Sequence, residues 1–172
     1  MELVEAIEGR RSVRAFRAGR IPEGLMEEAV RLGNMAPSAG NLQARDFVIV
    51  KDGDVKKTMA RAAPGQEFIA DAYAVIVVCS NQHKIAHYGK RGRELYMLQD
   101  AAAAVTHILL YAHSRGIGCC WVGAFDEGEV CEALGLPAGI RPVAILPMGI
   151  PGESPEPRER LPLAEIVHAE KW

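Results

Sequence analysis

The residues best equipped to hold a charged ligand come early in the chain. Residues 9–16 read GRRSVRAF, which sets Arg10, Arg11 and Arg14 around Ser12. A guanidinium presents a rigid fork of N–H donors that matches a phosphate, and a serine hydroxyl adds one more donor. In extended or turn geometry, alternate residues such as Arg10, Ser12 and Arg14 point the same way. Spacing alone leaves a solvated basic turn as the simpler alternative. A second cationic pair, Arg158 and Arg160, stands near the other end of the chain. For that pair, solvation of an extended segment and anion binding are equally good readings.

Two further stretches carry polar or backbone donors. APSAGNLQ (36–43) places Ser38, Asn41 and Gln43 on a loop shaped by Pro37 and Gly40. Such a loop suits the polar edge of a heterocycle or a polyol chain, and it also fits ordinary turn chemistry. GIGCCWVGAF (116–125) contains Trp121, Val122 and Gly123. Gly123 lets backbone N–H groups come close to a ligand because no Cβ obstructs them. A lone G-x-G is weak evidence for a phosphate loop, and a tryptophan is more often core than platform.

Side-chain catalysts are missing from the pattern. His83 and His87 stand at i, i+4, but without a suitably spaced carboxylate and in a loop-like setting, so no metal site is assigned. There is no Ser–His–Asp order, paired-carboxylate motif or P-loop. Cations, amides and backbone donors without an acid–base team point to chemistry carried by a cofactor.

The elements that would position these residues can be read from periodicity. Leu3, Val4 and Ile7 predict a first helix ended by Gly9, and PEGLMEEAVRLGN predicts a second over 22–34. FVIVK (47–51) and YAVIVVCS (73–80) read as strands, with a helix beginning at DVKKTMARA between them. The polar stretch 81–94 is expected at the surface. Residues 94–115 predict the longest helix, apolar around most of its circumference and therefore expected inside a core or a dimer interface. GCCWVGAF (118–125) then predicts a strand running into a turn, EGEVCEALG a short helix, and 141–150 a final strand. From Pro151 the composition turns proline-rich and then apolar, which predicts an extended arm with a docked end, reaching onto a partner subunit. The order is mixed α/β around a small sheet. Strict β-α-β alternation with a glycine-rich first turn is missing, which disfavours a dinucleotide-binding Rossmann fold.

The totals set limits on partners. The 172 residues predict one domain, residues 1–172, that buries roughly two-thirds of its unfolded surface. A net charge of −2 and a pI near 6.2 argue against non-specific nucleic-acid or membrane-surface binding. The best membrane candidate, residues 95–112, is interrupted by Gln99, Asp100, Thr106 and His107 and reads as a buried helix. No targeting segment is evident. The four cysteines make no C-x-x-C pair and predict reduced, mostly buried thiols in a cytoplasmic protein.

RRSVRAF, APSAGNLQ, the QDAAAA helix, GIGCCWVGAF and the terminal RERLPLAEIVHAEKW, in this order, resemble the nitroreductase-like family of FMN-dependent oxidoreductases over nearly the whole chain. The resemblance implies an α+β fold with a small, mostly antiparallel central sheet flanked by helices. It also implies an intertwined homodimer whose C-terminal arm (151–172) lies on the partner subunit. Arg10, Ser12 and Arg14, with Arg11 through its backbone, would contact the FMN phosphate and ribityl chain, and Arg158 and Arg160 would return to the phosphate. Pro37, Ser38, Asn41 and Gln43 would form the loop reaching the flavin held mainly by the other subunit. The backbone of Trp121, Val122 and Gly123 would face the flavin N5/O4 edge. No metal and no side-chain catalyst is implied. The activity implied is transfer of hydride from NADH or NADPH to flavin N5, then reduction of a small quinone or nitroaromatic acceptor in a ping-pong cycle. The same scaffold also supports dehalogenation, heterocycle oxidation, oxygen-dependent flavin breakdown, or flavin binding without catalysis. One departure stands out: Ala44 and Arg45 occupy the places where the family often has Pro-Trp.

Overall fold

Capping and alternation account for most elements of the computed structural model, which describes residues 1–172. Helix α1 spans Leu3–Gly9 and is opened by a Glu5 carboxylate that accepts the Glu2 N–H at 2.9 Å. The chain turns extended at Arg10 and enters a two-residue strand, β1 (Phe16–Arg17), too short to announce itself by alternation. Helix α2 runs Leu25–Asn34 and begins later than residue 22. Gly24 sits at φ +76°, which a helix cannot pass through, so Pro22 closes a preceding turn by accepting the Leu25 N–H. Strand β2 (Arg45–Val50) leads to α3 (Gly53–Ala62), capped by Asp52, whose carboxylate accepts the N–H groups of Asp54 and Val55. A short α4 (Phe68–Asp71) precedes β3 (Ala74–Asn81), every residue of which is buried.

The 81–94 stretch is more structured than its polarity predicts. It forms a 3-10 turn at Ala86–Tyr88, a one-turn helix α5 (Gly89–Arg91) and a π-helical turn at Gly92–Tyr96. Ile85 is fully buried against Ala44 and Met97, so the segment is anchored by its one large aliphatic side chain. The long helix α6 follows at Met97–Ser114. One face of it is buried through Ala101, Ala104, Val105, Ile108 and Ala112, while Leu98, Ala102 and Leu110 on the other face stay half-open.

Strand β4 is only Gly118–Cys119. The expected longer strand breaks because the Cys119 carbonyl accepts from the Val13 N–H at 3.1 Å, and pairing resumes only as a Val122–Ile145 bridge. Helix α7 (Glu127–Leu134) is capped by Asp126, and the twelve-residue β5 (Ile140–Pro151) closes the sheet. All pairings are antiparallel, in the order β1-β5-β3-β2 with β4 against β5. Period-two alternation along β3 divides the core between two faces. Ile76 and Val78 pack with Leu146 toward α2 and α6, and Val75 and Val77 pack with Ile145 toward α3 and α7.

The arm after Pro151 carries only α8 (Leu163–Ile166). Its end does not dock on its own chain. Leu161, Leu163, Ile166, Val167 and Trp172 are all exposed, as are Leu3, Val4 and Ile7 of α1. No helix is long and apolar enough to cross a membrane.

Candidate cofactor site

Antiparallel pairing of Phe16 with Pro151 decides where the two basic segments go. Residues preceding Phe16 and residues following Pro151 leave that pair from the same end and run alongside each other. The junction is fastened at several points. The Arg17 Nε donates to the Pro151 carbonyl at 2.9 Å, and the Gly152 N–H donates to the Ala15 carbonyl at 2.8 Å. One Glu153 carboxylate oxygen accepts the N–H groups of both Arg14 and Ala15.

The result is a cavity of about 590 Å³ lined by Arg10, Arg11, Ser12 and Arg14 from the first segment and by Arg158 and Arg160 from the arm, with Ile7, Glu8, Pro155 and Glu156 completing the wall. All six cationic and hydroxyl residues expected at a phosphate therefore meet in one place. Arg11 is also tied locally, donating through Nη1 to the Glu8 carbonyl at 2.6 Å. The surrounding charges reach neighbouring groups. His113 is held below the ordinary imidazole value by burial first, and then by the Arg10 and Arg11 charges. Burial raises the Cys120 thiol, while Arg14 and a hydrogen bond to Ser12 pull against that shift.

The 36–43 loop lies elsewhere: Pro37, Ser38, Asn41 and Gln43 do not line this cavity. Its shape is held from inside. Asn41 and Gln43 both sit at positive φ, and the Ser38 Oγ accepts the Gln43 N–H at 3.0 Å. The Gln43 side chain turns back to Asn41, donating to its carbonyl and its Oδ1, which leaves the Ser38 hydroxyl proton free to donate.

Beneath the loop lies a pair that spacing did not reveal. Arg45 is 2 % exposed, and its guanidinium donates to the carbonyls of Asn34, Ala36, Pro37 and Asp100. Burial lowers its pKa and the Asp100 charge works in the opposite direction. The Asp100 carboxylate accepts the N–H groups of Ala39 at 2.9 Å and Ala44 at 3.2 Å. A carboxylate interrupting the apolar run of α6 was the available signal, since a buried charge requires partners.

The Trp121–Gly123 segment is joined to the basic segment through the Val13–Cys119 bond but does not line the cavity. The N–H and C=O of Val122 are both bonded to Ile145, at 2.9 and 3.0 Å, and its side chain is buried. Free backbone donors in this segment therefore belong to the exposed residues Trp121 and Gly123, not to Val122. His83 is turned to the Ala138 carbonyl through Nε2, and His87 lies against the Tyr88 ring. The four thiols are unpaired, and burial pushes that of Cys79 up to about 12.

With this geometry in place, comparison with known proteins is decisive. The nitroreductase family model matches residues 7–66 and 60–150. The chain belongs to the nitroreductase family. A putative NADH dehydrogenase/NAD(P)H nitroreductase of Archaeoglobus fulgidus is 32% identical, the match covering 99% of both chains. One of the same description from Methanothermobacter thermautotrophicus is 29% identical over 100% of this chain and 88% of its own. Among solved structures, the NADPH:FMN oxidoreductase from Vibrio harveyi complexed with NAD+ has a TM-score of 0.90 at 26% identity, covering 99% of this chain and 77% of that one. The α+β architecture and antiparallel sheet read from the sequence are those of this family.

Proposed function

We propose that this member of the nitroreductase family is a homodimeric FMN enzyme that oxidises NADH or NADPH and reduces quinone or nitroaromatic acceptors in alternating half-reactions. One observation carries the reading: residues from the two ends of the chain, Arg10, Arg11, Ser12, Arg14, Arg158 and Arg160, line a single cavity. The donor set fits a phosphate monoester, because guanidinium forks and a hydroxyl supply charge-assisted hydrogen bonds that a neutral ligand would leave unused. The relatives named for NAD(P)H and FMN chemistry support the same cofactors for this chain.

FMN, when bound, supplies hydride acceptance at N5 and electron delivery to the second substrate. The protein's part is binding, orientation and electrostatics. The arginines hold the phosphate end. The Trp121 and Gly123 N–H groups stand free to donate to the polar edge of the ring and to favour negative charge there. The 36–43 loop, absent from the cavity of its own chain, serves the site of the partner subunit, with the Ser38 hydroxyl as its free donor. The exposed apolar side chains of α1 and the arm, and the half-open face of α6, supply the surface that a second copy covers. The reading is tested by purification and FMN titration. Protein that is yellow or takes up stoichiometric FMN is expected, and a colourless protein that takes up none refutes it.

A further inference from the structure

The segment between β3 and α6 lines neither the sheet nor the cation cavity, yet it is both irregular and strongly basic. A 3-10 turn, the three-residue α5 and a π-helical turn follow one another within residues 86–96. Gly92 is packed so closely that a Cβ there would lie 2.8 Å from the Ile85 carbonyl and from the Tyr88 Cβ. Helices of π type are uncommon and are frequently found at functional sites.

This segment is bound to the serine loop. The Tyr88 hydroxyl rests on Gly40, where a Cβ would come within 2.6 Å of it. Ala39 and Leu42 of the loop pack against the same small cluster, Ile85, Ala44 and Met97, that anchors the segment. Loop and segment are therefore one packed unit. Above it, His87 lies on the Tyr88 ring at 4.0 Å and Tyr96 meets that ring edge-on at 5.4 Å, while Tyr88 itself remains 38% exposed. Three exposed cations follow at once. Arg91 is engaged with Tyr96, donating from Nε to its hydroxyl at 3.0 Å. Lys90 has only a 3.7 Å contact with Glu94 in a largely exposed pair, and Arg93 has no ionic partner.

A partly exposed aromatic ring beside cations that are weakly paired or unpaired suits a ligand that is planar at one end and anionic at the other. Of the two substrates in the proposed reaction, the dinucleotide has that form, whereas quinones and nitroaromatics carry no phosphate. We propose that residues 87–93 select the electron donor: Tyr88 walls the space over the flavin that the serine loop reaches, and Lys90 and Arg93 hold the phosphates of the nicotinamide dinucleotide. The inference rests on the FMN reading above and assigns the donor end of that site.

The test uses flavin-loaded protein and its K90Q/R93Q variant, both positions being exposed and outside the FMN cavity. Binding of NADP+ and of NAD+ is measured by calorimetry at low and raised salt, and anaerobic flavin reduction and quinone reoxidation are followed separately. The variant is expected to bind the dinucleotide about tenfold more weakly, as loss of a charge-assisted contact implies, and to lose most of the salt dependence. The defect should appear in reduction by the dinucleotide and not in reoxidation by a neutral quinone. Tyr88→Phe should keep wild-type dinucleotide binding, and Tyr88→Ala should weaken it, because the ring and not the hydroxyl forms the wall. A variant that retains FMN but binds dinucleotide with wild-type affinity and salt dependence overturns the donor assignment and leaves the FMN reading standing. Equal slowing of both half-reactions also overturns it. Failure of the wild-type protein to take up FMN removes both.

Discussion

Arg45 and Asp100 hold the same loop through its backbone without an ion pair between their charged ends. The Arg45 Nη1 donates to the Asp100 backbone carbonyl at 2.8 Å, while the Asp100 carboxylate accepts from Ala39 and Ala44. Loop carbonyls thus face a buried cation and loop N–H groups a buried anion. Arg45, standing where the resemblance leads one to expect Pro-Trp, thus forms a polar brace beneath the loop.

Asp100→Ala leaves the buried Ala44 N–H and the half-buried Ala39 N–H without their partner. Each orphaned donor costs about 1–3 kcal/mol, so a destabilisation of roughly 2–6 kcal/mol is expected in denaturant unfolding. Arg45→Met, which fills the space but removes every donor, should cost about as much. A change under about 0.5 kcal/mol in either variant contradicts the brace.

Removing Arg14 or Arg160 should weaken FMN binding by about 1.5–3 kcal/mol each, the range for a hydrogen bond to a charged group. Fluorescence titration of the two alanine variants checks this. Unchanged affinity in both would place the phosphate elsewhere.

Glu156 lines the cation cavity and brings a negative charge to the space an anionic ligand would fill. Glu156→Gln should therefore tighten FMN binding at low salt, with the gain fading as salt is raised. Weaker binding in the variant would show that the carboxylate orients the arginines instead.

His113 gives the fold a pH dependence of definite sign. Its native pKa lies below the ordinary value of 6.5 because of burial and the nearby Arg10 and Arg11 charges. The unfolded chain therefore binds the proton first as pH falls. The contribution of His113 to stability is full above 6.5 and is lost as pH drops from there through the lowered native value. His113→Gln should flatten the stability profile across that interval, and an unaltered profile would remove His113 as its source.

Deleting residues 161–172 removes the exposed Leu161, Leu163, Ile166, Val167 and Trp172 but keeps Arg158 and Arg160. Light scattering is expected to show a shift from dimer toward monomer. A truncated chain that stays fully dimeric would mean that α1 and α6 suffice.

What could be read in advance followed residue type. The β-branched apolar run of β3 and the apolar spacing of the helices are local signals, so these strands and helices fall close to their predicted places. The meeting of Arg10–Arg14 with Arg158 and Arg160 is not local. It depends on a two-residue strand, β1, pairing with the end of β5, and no periodicity exists in two residues. Glu153 was invisible for the same reason, since its role is to accept two N–H groups nearly the whole chain away. Val122 shows the reverse case. The family resemblance implies a backbone role for it at the flavin edge, while its N–H and C=O are both bonded to Ile145, so the unbonded N–H groups of that segment are those of Trp121 and Gly123.

The proposed function requires that the chain's own residues hold a flavin that nicotinamide nucleotides reduce. Anaerobic mixing of the purified, FMN-loaded protein with NADH and with NADPH tests it most directly. Rapid loss of the oxidised-flavin absorbance with one of the two, and its return on adding a quinone, is the predicted result. Bound FMN that neither nucleotide bleaches would mean that the chain is not an NAD(P)H-dependent reductase.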